Sequence, residues 1–275
     1  MTIIDAVLLG LLQGLTEFLP ISSSAHLRIA GPFLSIGADP GAAFTAVVQI
    51  GTEAAVLIYF RQDIWRIAKA WLRSFSSNAI NDRSDARVGW LVLLGTLPIA
   101  IFGLLFKDAI EGSLRNLYLT ATMLIAFGII LGIADRWGAK LRTIDQISWR
   151  DGLMLGLAQA MALVPGVSRS GGTISAGLLL GFTREAAARY SFLLAIPAVL
   201  ASGFFQLMRN WDDLSATAAI PTAVATLVAF SSGYGVIMGF LRLISTHTYM
   251  PFVWYRIILG LCLFLLLGTG TVSAT

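Results

Sequence analysis

QGLTEFLPISSSAH, residues 13–26, places a carboxylate, an imidazole, several hydroxyls and a proline inside otherwise apolar sequence. A second polar run, PGVSRSGGT at residues 165–173, brings an arginine, hydroxyls and glycines into a similar setting. Ionisable groups at membrane depth are costly and mark functional sites by default. The two runs therefore indicate the functional site, and the composition of the second favours phosphate binding.

The composition is that of an integral membrane protein. Of the 275 residues, 57% are hydrophobic and only 12% are charged, which is about half the charged fraction of a soluble domain. The net charge of +4 is modest and belongs to loops rather than to a basic stripe, so nucleic acid is not expected as a partner. The single cysteine, Cys262, excludes an internal disulfide and a cysteine-based metal site.

Hydropathy predicts six transmembrane helices, because six stretches are long and apolar enough to cross a bilayer. They are residues 41–60, 88–106, 116–134, 184–208, 217–241 and 251–270. Two further apolar regions, 2–36 and 150–182, are broken by proline and by the polar runs. We predict that each forms a re-entrant helix hairpin, since irregular backbone at membrane depth is tolerated where it lines a cavity. The predicted fold is therefore an all-α integral membrane protein.

Positive charge predicts the orientation. Lysine and arginine are concentrated in the 61–87 and 135–150 connections, which we place in the cytoplasm, whereas the 107–115 and 209–216 loops are poor in both and should lie outside. Six crossings then leave both termini outside, with the first hairpin on the outer side and the second on the inner side. This opposition favours an inverted repeat within one membrane domain, with halves of about 1–135 and 136–275.

The first run carries two groups suited to chemistry. Gln13 and Glu17 are four residues apart and share one face of a helix, which Pro20 ends. Glu17 and His26 then lie on either side of the break and can converge on one point. The alternative is a structural polar pair that ties the hairpin together.

The second run is built around Arg169, which keeps its charge and offers a fork of donors that matches phosphate. It also supplies hydroxyls and small residues, namely Ser168, Ser170, Gly171, Gly172 and Thr173. The glycines allow close backbone approach and lead into an apolar helix over 174–182, whose free N–H groups would favour an anion. The alternative is a turn in which Arg169 only pairs with Glu17.

Two other charged residues lie in predicted spans. Glu53 is a second carboxylate at membrane depth, on one helix face with Gln49 and Thr52; it either completes a cation site with Glu17 or is a satisfied structural acid. Arg256 falls near the start of the last span and is predicted to extend to the membrane interface.

Both polar runs resemble the signatures of the undecaprenyl-diphosphate phosphatase family. The segments QIGT at 49–52 and SFLLAIP at 191–197 are also similar, so the resemblance covers essentially the whole chain. Two positions depart from the pattern: Gln13 stands where many members have glutamate, and Ala25 where glycine is common. Gln13 can serve neither as a base nor as a charged metal ligand.

The resemblance implies a bacterial plasma-membrane enzyme that hydrolyses undecaprenyl diphosphate, recycles the lipid carrier of peptidoglycan synthesis and affects bacitracin resistance. It also implies a divalent cation, Mg²⁺ or Ca²⁺, which we assign to Glu17 with Glu53 as the second carboxylate. The predicted catalytic residues are Glu17, Ser23, His26 and Arg169. The predicted diphosphate-binding residues are Gln13, Ser22, Ser24, Ser168, Arg169, Ser170, Gly171, Gly172 and Thr173.

The sequence leaves the nucleophile and the function class open. We favour Ser23 with His26 as its base, because a hydroxyl three residues from the imidazole can reach it; His26 as nucleophile and direct attack by water are the alternatives. A transporter or flippase of a phosphorylated polyprenyl lipid is the rival function, since secondary transporters often have inverted repeats with broken helices. The expected partners are the polyprenyl diphosphate and the bilayer, with a site opening outward; a monomer and a homodimer are both compatible with the sequence.

Overall fold

The computed structural model describes residues 1–75, 83–211 and 219–274, and helices carry the fold throughout these ranges. An isolated bridge between Arg142 and Phe182 adds a single β-type contact. The helices are α1 Ile3–Thr16, α2 Ser23–Ala30, α3 Ala42–Tyr59, α4 Arg61–Arg73, α5 Arg83–Leu105, α6 Lys107–Glu111, α7 Leu117–Trp137, α8 Trp149–Ala160, α9 Arg169–Leu179, α10 Arg184–Arg209, α11 Ala219–Thr246 and α12 Met250–Gly268.

Within the described residues, six helices are long and apolar enough to cross a membrane, and they confirm the six predicted spans. They are α3, α5, α7, α10, α11 and α12. The predicted bounds were too short for α5, which begins at Arg83, and for α11, which ends at Thr246. Helical hydrogen bonding continues past the apolar stretch into polar residues, which hydropathy cannot detect. Residues 212–218, which include most of the predicted 209–216 loop, lie outside the described residues.

The 61–87 connection contains a helix, α4, that was not predicted. Its charged residues make it too polar to resemble a membrane span, but its inner face packs on α5, where the Trp71 and Trp90 ring centroids are 5.5 Å apart. Gly89 makes this approach close, because a Cβ there would lie 3.0 Å from the Trp71 Cβ. Residues 76–82 of the connection lie outside the described residues.

Each of the two broken apolar regions folds as two short helices, α1 with α2 and α8 with α9. Pro20 lies in the first break and Pro165 in the second. The residue before the second helix of each pair has a positive φ, 72° at Ser22 and 69° at Ser168, a backbone conformation that non-glycine residues rarely adopt. Both breaks therefore turn the chain in the same local way.

The ends of the α1–α2 pair meet at the N-terminal end of α7. The carboxylate of Asp5, in the first turn of α1, accepts from the Ser35 N–H at 3.2 Å, and Ser35 follows α2. Asp39 then pairs with Arg115, just before α7, at 2.5 Å. Burial alone would raise the pKa of Asp39, but hydrogen bonds from Arg115 and the Gly41 N–H, with the arginine charges nearby, hold it below its ordinary value.

The ends of the α8–α9 pair meet at the C-terminal end of α7. Arg142, which follows α7, pairs with Asp151 in the first turn of α8 at 2.5 Å. The same guanidinium donates to the Leu180 carbonyl at the end of α9 at 2.9 Å. The two pairs of short helices thus begin and end at opposite ends of α7.

The two pairs pack against partner helices through glycines 146 residues apart. A Cβ at Gly10 of α1 would lie 2.5 Å from the Ala225 carbonyl oxygen of α11, and a Cβ at Gly156 of α8 would lie 2.5 Å from the Gly95 carbonyl oxygen of α5. Each short-helix pair therefore packs on a spanning helix of the other half of the chain, so the two halves share their core.

We expect Gly156→Ala to destabilise the protein by about 1–3 kcal/mol, because backbone rather than a flexible side chain blocks the added methyl group. The measurement is thermal unfolding in detergent. Gly235→Ala in α11 is the matched control, since nothing lies within 4 Å of its added Cβ. Equal losses in the two variants would show that the α8–α5 contact is looser than described.

Candidate active site

Glu17 is the carboxylate at which the two polar runs meet. It follows the last residue of α1, and its side chain is buried. One carboxylate oxygen accepts from the Gln13 amide at 2.6 Å and from the Ser23 hydroxyl. The other accepts from the Arg169 guanidinium at the start of α9. The predicted meeting of the two runs is confirmed, as is the shared helix face of Gln13 and Glu17.

Arg169 is the first residue of α9, and its side chain is mostly buried. Its contact with Glu17 uses one of the five N–H groups that a guanidinium offers, and the described residues provide no other hydrogen bond to this side chain. Removing one member of a buried ion pair strongly destabilises a protein, because the other charge is left uncompensated. The buried charge of Glu17 is therefore stabilised by Arg169, and that of Arg169 by Glu17.

A cavity of about 450 Å³ extends from this ion pair towards α6. Its inner end is polar and lined by Glu17, Ser22, Ser23, Ser24, Ser168 and Arg169. Its walls come from the second halves of α5 and α10 and are largely apolar, with Ile99, Leu104 and Phe205 among them. Lys107 and Gln206 line the far end. Such a cavity suits a charged group that carries an apolar chain.

His26 is turned away from this cavity. Its Nδ1 lies 2.7 Å from the Ser22 carbonyl oxygen, and its Nε2 lies 2.6 Å from the Tyr255 hydroxyl. The two rings are stacked, with centroids 5.6 Å apart and planes at 3°. Nothing in the sequence pointed to Tyr255, because a tyrosine within an apolar span is ordinary.

Ser23 contacts Glu17 instead of His26. No hydrogen bond joins Ser23 to His26 in the described part of the chain, so the predicted reach of that hydroxyl to the imidazole is not found. The reason is local: the imidazole bonds to the carbonyl one turn back on its own helix, and α12 holds its other nitrogen. The base within reach of Ser23 is the Glu17 carboxylate.

The hydroxyl groups of the second run lie in different places, and only one of them faces the main cavity. Ser168 lines the cavity and caps α9 by accepting from the Gly171 N–H at 3.1 Å. Ser170 donates to the Leu19 carbonyl at 3.0 Å and so joins the two breaks. Thr173 donates to the Arg169 carbonyl at 2.8 Å and bonds to Ser191. Ser168 is thus the one of these three that lines the main cavity.

The glycine pair was assigned wrongly in one respect. We predicted free N–H groups at a helix start near residue 174, but α9 begins at Arg169. The Gly171 N–H donates to the Ser168 hydroxyl, and the Gly172 N–H donates to the Ser168 carbonyl at 2.8 Å. A Cβ at Gly171 would lie 2.6 Å from the Arg256 Nη1. The glycines therefore permit close packing and do not present free N–H groups to a ligand.

Arg256 corrects a second prediction. It does not extend to the membrane interface but is fully buried, at 0% exposure. Its guanidinium donates to the Pro20 carbonyl of the first break at 2.8 Å, and to the Gly166 and Val167 carbonyls of the second break at 2.8 and 3.1 Å. Carbonyls at a break lack helical partners, so an arginine between the breaks supplies the donors that they need. An arginine inside an apolar span was the available signal.

The oxygen atoms around Glu17 fit a hard divalent cation. Glu53 is 1% exposed and lines a small cavity with Glu17 and Arg169. One carboxylate oxygen of Glu53 and the amide oxygen of Gln13 are buried and have no hydrogen-bond partner among the residues that the structure describes. The described residues contain no group of three or more His, Cys, Asp or Glu side chains that could hold a metal by itself. Mg²⁺ commonly takes one or two carboxylates and completes its shell with substrate phosphates, so Glu17 and Glu53 are the residues that could hold such an ion.

Known proteins are similar to this chain along nearly its whole length. The model of the family described as "Bacitracin resistance protein BacA" matches residues 6–262. "Undecaprenyl-diphosphatase 2" of Agrobacterium fabrum (strain C58) is 64% identical over 270 residues, covering 98% of this chain and 97% of that protein. "Undecaprenyl-diphosphatase" of Paenarthrobacter aurescens (strain TC1) is 59% identical over 274 residues, covering 98% and 99%. The protein of the same name in Micrococcus luteus is 55% identical over 277 residues, covering both chains fully.

We expect Arg256→Met to destabilise the protein by about 3 kcal/mol or more, because each buried carbonyl left without a donor costs about 1–3 kcal/mol. Thermal unfolding in detergent measures the loss. Arg242→Met in α11 is the control, since Arg242 is exposed and a surface substitution usually changes stability by less than about 0.5 kcal/mol. A melting temperature equal to that of the control would contradict the bridging role of Arg256.

Proposed function

Because the chain belongs to the bacitracin resistance protein BacA family, we propose that it hydrolyses undecaprenyl diphosphate to undecaprenyl phosphate and inorganic phosphate. In bacteria this reaction recycles the lipid carrier of peptidoglycan synthesis and confers bacitracin resistance. The observation that carries the proposal is the cavity whose polar end joins Glu17, Ser23 and Arg169 and whose walls are apolar. A diphosphate on a long hydrocarbon chain has this same division of character.

The polar end binds the diphosphate. Arg169 donates to the phosphate oxygens with the N–H groups that its contact with Glu17 leaves over, and planar bidentate donation suits these oxygens. The hydroxyls of Ser22, Ser24 and Ser168 line the same space. The apolar walls take the first part of the prenyl chain, and the remainder lies in the bilayer. Phosphoryl transfer depends mainly on such positioning and charge stabilisation.

Ser23 is the nucleophile in the mechanism that fits the geometry best. Its hydroxyl oxygen attacks the terminal phosphorus, its proton passes to Glu17 and then to the leaving oxygen, and the bond to undecaprenyl phosphate breaks. Water then attacks the phosphoserine, with Glu17 taking a proton from the water and returning one to Ser23. Direct attack by water, with Ser23 only binding phosphate, and attack by His26 are the alternatives, and trapping of a phosphorylated protein separates them.

A divalent cation fits this site. Glu17 and Glu53 would hold it, with the free amide oxygen of Gln13 as a neutral ligand. When bound, it neutralises charge on the diphosphate. Gln13 contributes in addition by donating to Glu17 at 2.6 Å, which holds the carboxylate in place.

We also propose that α1 with α2 and α8 with α9 are re-entrant hairpins of an inverted repeat. Three pairs of positions 146 residues apart support this: the positive-φ residues Ser22 and Ser168, the packing residues Gly10 and Gly156, and the capping boxes that begin at Thr2 and Ser148. The two helix pairs begin and end at opposite ends of α7, which is what hairpins entering from opposite membrane sides require.

The cavity opens to the outer side of the plasma membrane in this proposal. Its far end is lined by Lys107 and Gln206, where α5 and α10 finish. The connections after these helices are the ones that the distribution of lysine and arginine places outside. Hydrolysis on this side releases phosphate away from the cytoplasm.

A transporter or flippase of the same lipid is the second candidate, favoured by the repeat-like pairs of broken helices. Phosphate release by purified protein in detergent separates the two functions, because a detergent solution has no second compartment. We expect release by the unchanged protein and a loss of about 100-fold in Arg169→Lys, because lysine keeps the charge but lacks the planar fork. Arg242→Lys is the control with unchanged turnover. Absence of release from folded protein would favour transport.

Rapid-quench experiments with labelled substrate test the nucleophile. We expect an acid-stable phosphoprotein that disappears in Ser23→Ala and does not accumulate in Glu17→Gln, since loss of a general base costs about 100- to 10,000-fold. An acid-labile label that requires His26 would contradict this assignment. Absence of any label, together with residual turnover in Ser23→Ala, would favour direct attack by water.

A further inference from the structure

His26 and Tyr255 form a contact that the proposed chemistry leaves unused. Tyr255 lies on α12 beside Arg256, and its hydroxyl is 2.6 Å from the His26 Nε2. His26 is 7% exposed, whereas Tyr255 is 44% exposed, and neither residue lines the cavity. The pair therefore lies outside the cavity, next to the turn at Ser22. Ser22, Ser23 and Ser24 line the polar end of the cavity.

The contacts of His26 determine which nitrogen carries the proton. The Ser22 carbonyl oxygen, 2.7 Å from Nδ1, can only accept a hydrogen bond, so Nδ1 must donate. Neutral imidazole then has its lone pair on Nε2, which accepts from the Tyr255 hydroxyl. Both nitrogens are thereby occupied, and neither is directed at Ser23.

The contact between His26 and the Ser22 carbonyl stabilises an unfavourable backbone conformation at Ser22. Its φ of 72° is unfavourable for a side chain other than glycine, and its own hydroxyl does not cap α2. The Nδ1–H of the His26 ring donates to the Ser22 carbonyl oxygen, and the backbone N–H of His26 donates to the same oxygen at 3.3 Å. The next residue, Ser23, donates to Glu17. The placement of the Ser23 hydroxyl therefore depends on the Ser22 turn.

We propose that Tyr255 is a positioning residue: it holds His26 as the neutral Nδ1–H tautomer, and His26 in turn holds the Ser22 turn that places Ser23 against Glu17. The inference rests on the proposed function for its effect on turnover, but not for the tautomer. It assigns the imidazole to the support of the serine turn rather than to attack on phosphorus.

The tautomer can be measured directly, because the chain has only two histidines. His247 is exposed near the end of α11, so His247→Gln leaves His26 as the only histidine. In protein labelled with ¹⁵N-histidine in detergent, we expect one neutral imidazole with its proton on Nδ1. Tyr255→Phe should move the Nε2 resonance to the position of a nitrogen without a hydrogen bond. A proton on Nε2, or an unchanged resonance in Tyr255→Phe, overturns the proposal.

Kinetics test the consequence for turnover. Tyr255→Phe keeps the stacked ring and should lower kcat about tenfold, which is the size of one lost hydrogen bond, with KM changed by less than about twofold because the phosphate donors are untouched. Tyr118→Phe is the matched control: Tyr118 is 46% exposed on α7, and its ring lies beside Phe264 of α12. Normal kcat in Tyr255→Phe, or a change confined to KM, overturns the positioning role.

The tautomer measurement and the kinetics together separate this inference from the proposed function. If the unchanged protein releases no phosphate but His26 is the Nδ1–H tautomer bonded to Tyr255, the enzyme assignment fails and the contact stands. If Tyr255→Phe does not give folded protein, the tautomer in the unchanged protein decides: a proton on Nδ1 supports the contact, and a proton on Nε2 overturns it.

Discussion

The ion pair between Glu17 and Arg169 is the constraint on which the rest of the structure depends. It joins residues 152 positions apart in the chain, each at a point where an apolar helix is broken. Neither charge is stable alone in a membrane interior, and a buried charge left unpaired costs several kcal/mol. The two breaks must therefore meet, and their meeting forms the polar end of the cavity.

The backbone at the breaks imposes a second requirement, which Arg256 meets. Water cannot solvate carbonyls inside a bilayer, so irregular backbone needs donors from the protein. One guanidinium on α12 serves carbonyls of both breaks and of α7, including Leu124 at 3.1 Å. Gly171 makes room for it, since a Cβ there would lie 2.6 Å from Nη1. Support for the breaks thus comes from a helix outside both polar runs.

Features that are determined by nearby residues could be predicted from the sequence. The six spans follow from apolar length, and the Gln13–Glu17 contact follows from helical spacing of four residues. The charge pair between the runs could be anticipated because two isolated charges at membrane depth need partners. The start of α9 was missed because consecutive glycines suggest a loop, whereas here Gly171 and Gly172 lie within a helix packed against its neighbours.

Side-chain partners set by long-range packing could not be predicted. Ser23 and His26 are three residues apart, yet one faces Glu17 and the other faces Tyr255 on a helix 229 positions away. Sequence spacing limits which groups can meet but does not decide which way a ring turns. Arg256 was misjudged for the same reason: its position near the start of the last span suggested the interface, and only the positions of the two breaks explain its burial.

A double-mutant cycle on phosphate release tests the central claim, that Glu17 and Arg169 act as one unit across the two breaks. Glu17→Gln, Arg169→Met and the double variant are compared with the unchanged protein in detergent, using single-turnover rates. If the pair acts as a unit, the double variant should be no slower than the slower single variant, because either change removes the same arrangement. Rate losses that multiply in the double variant would show two independent contributions and would contradict the account.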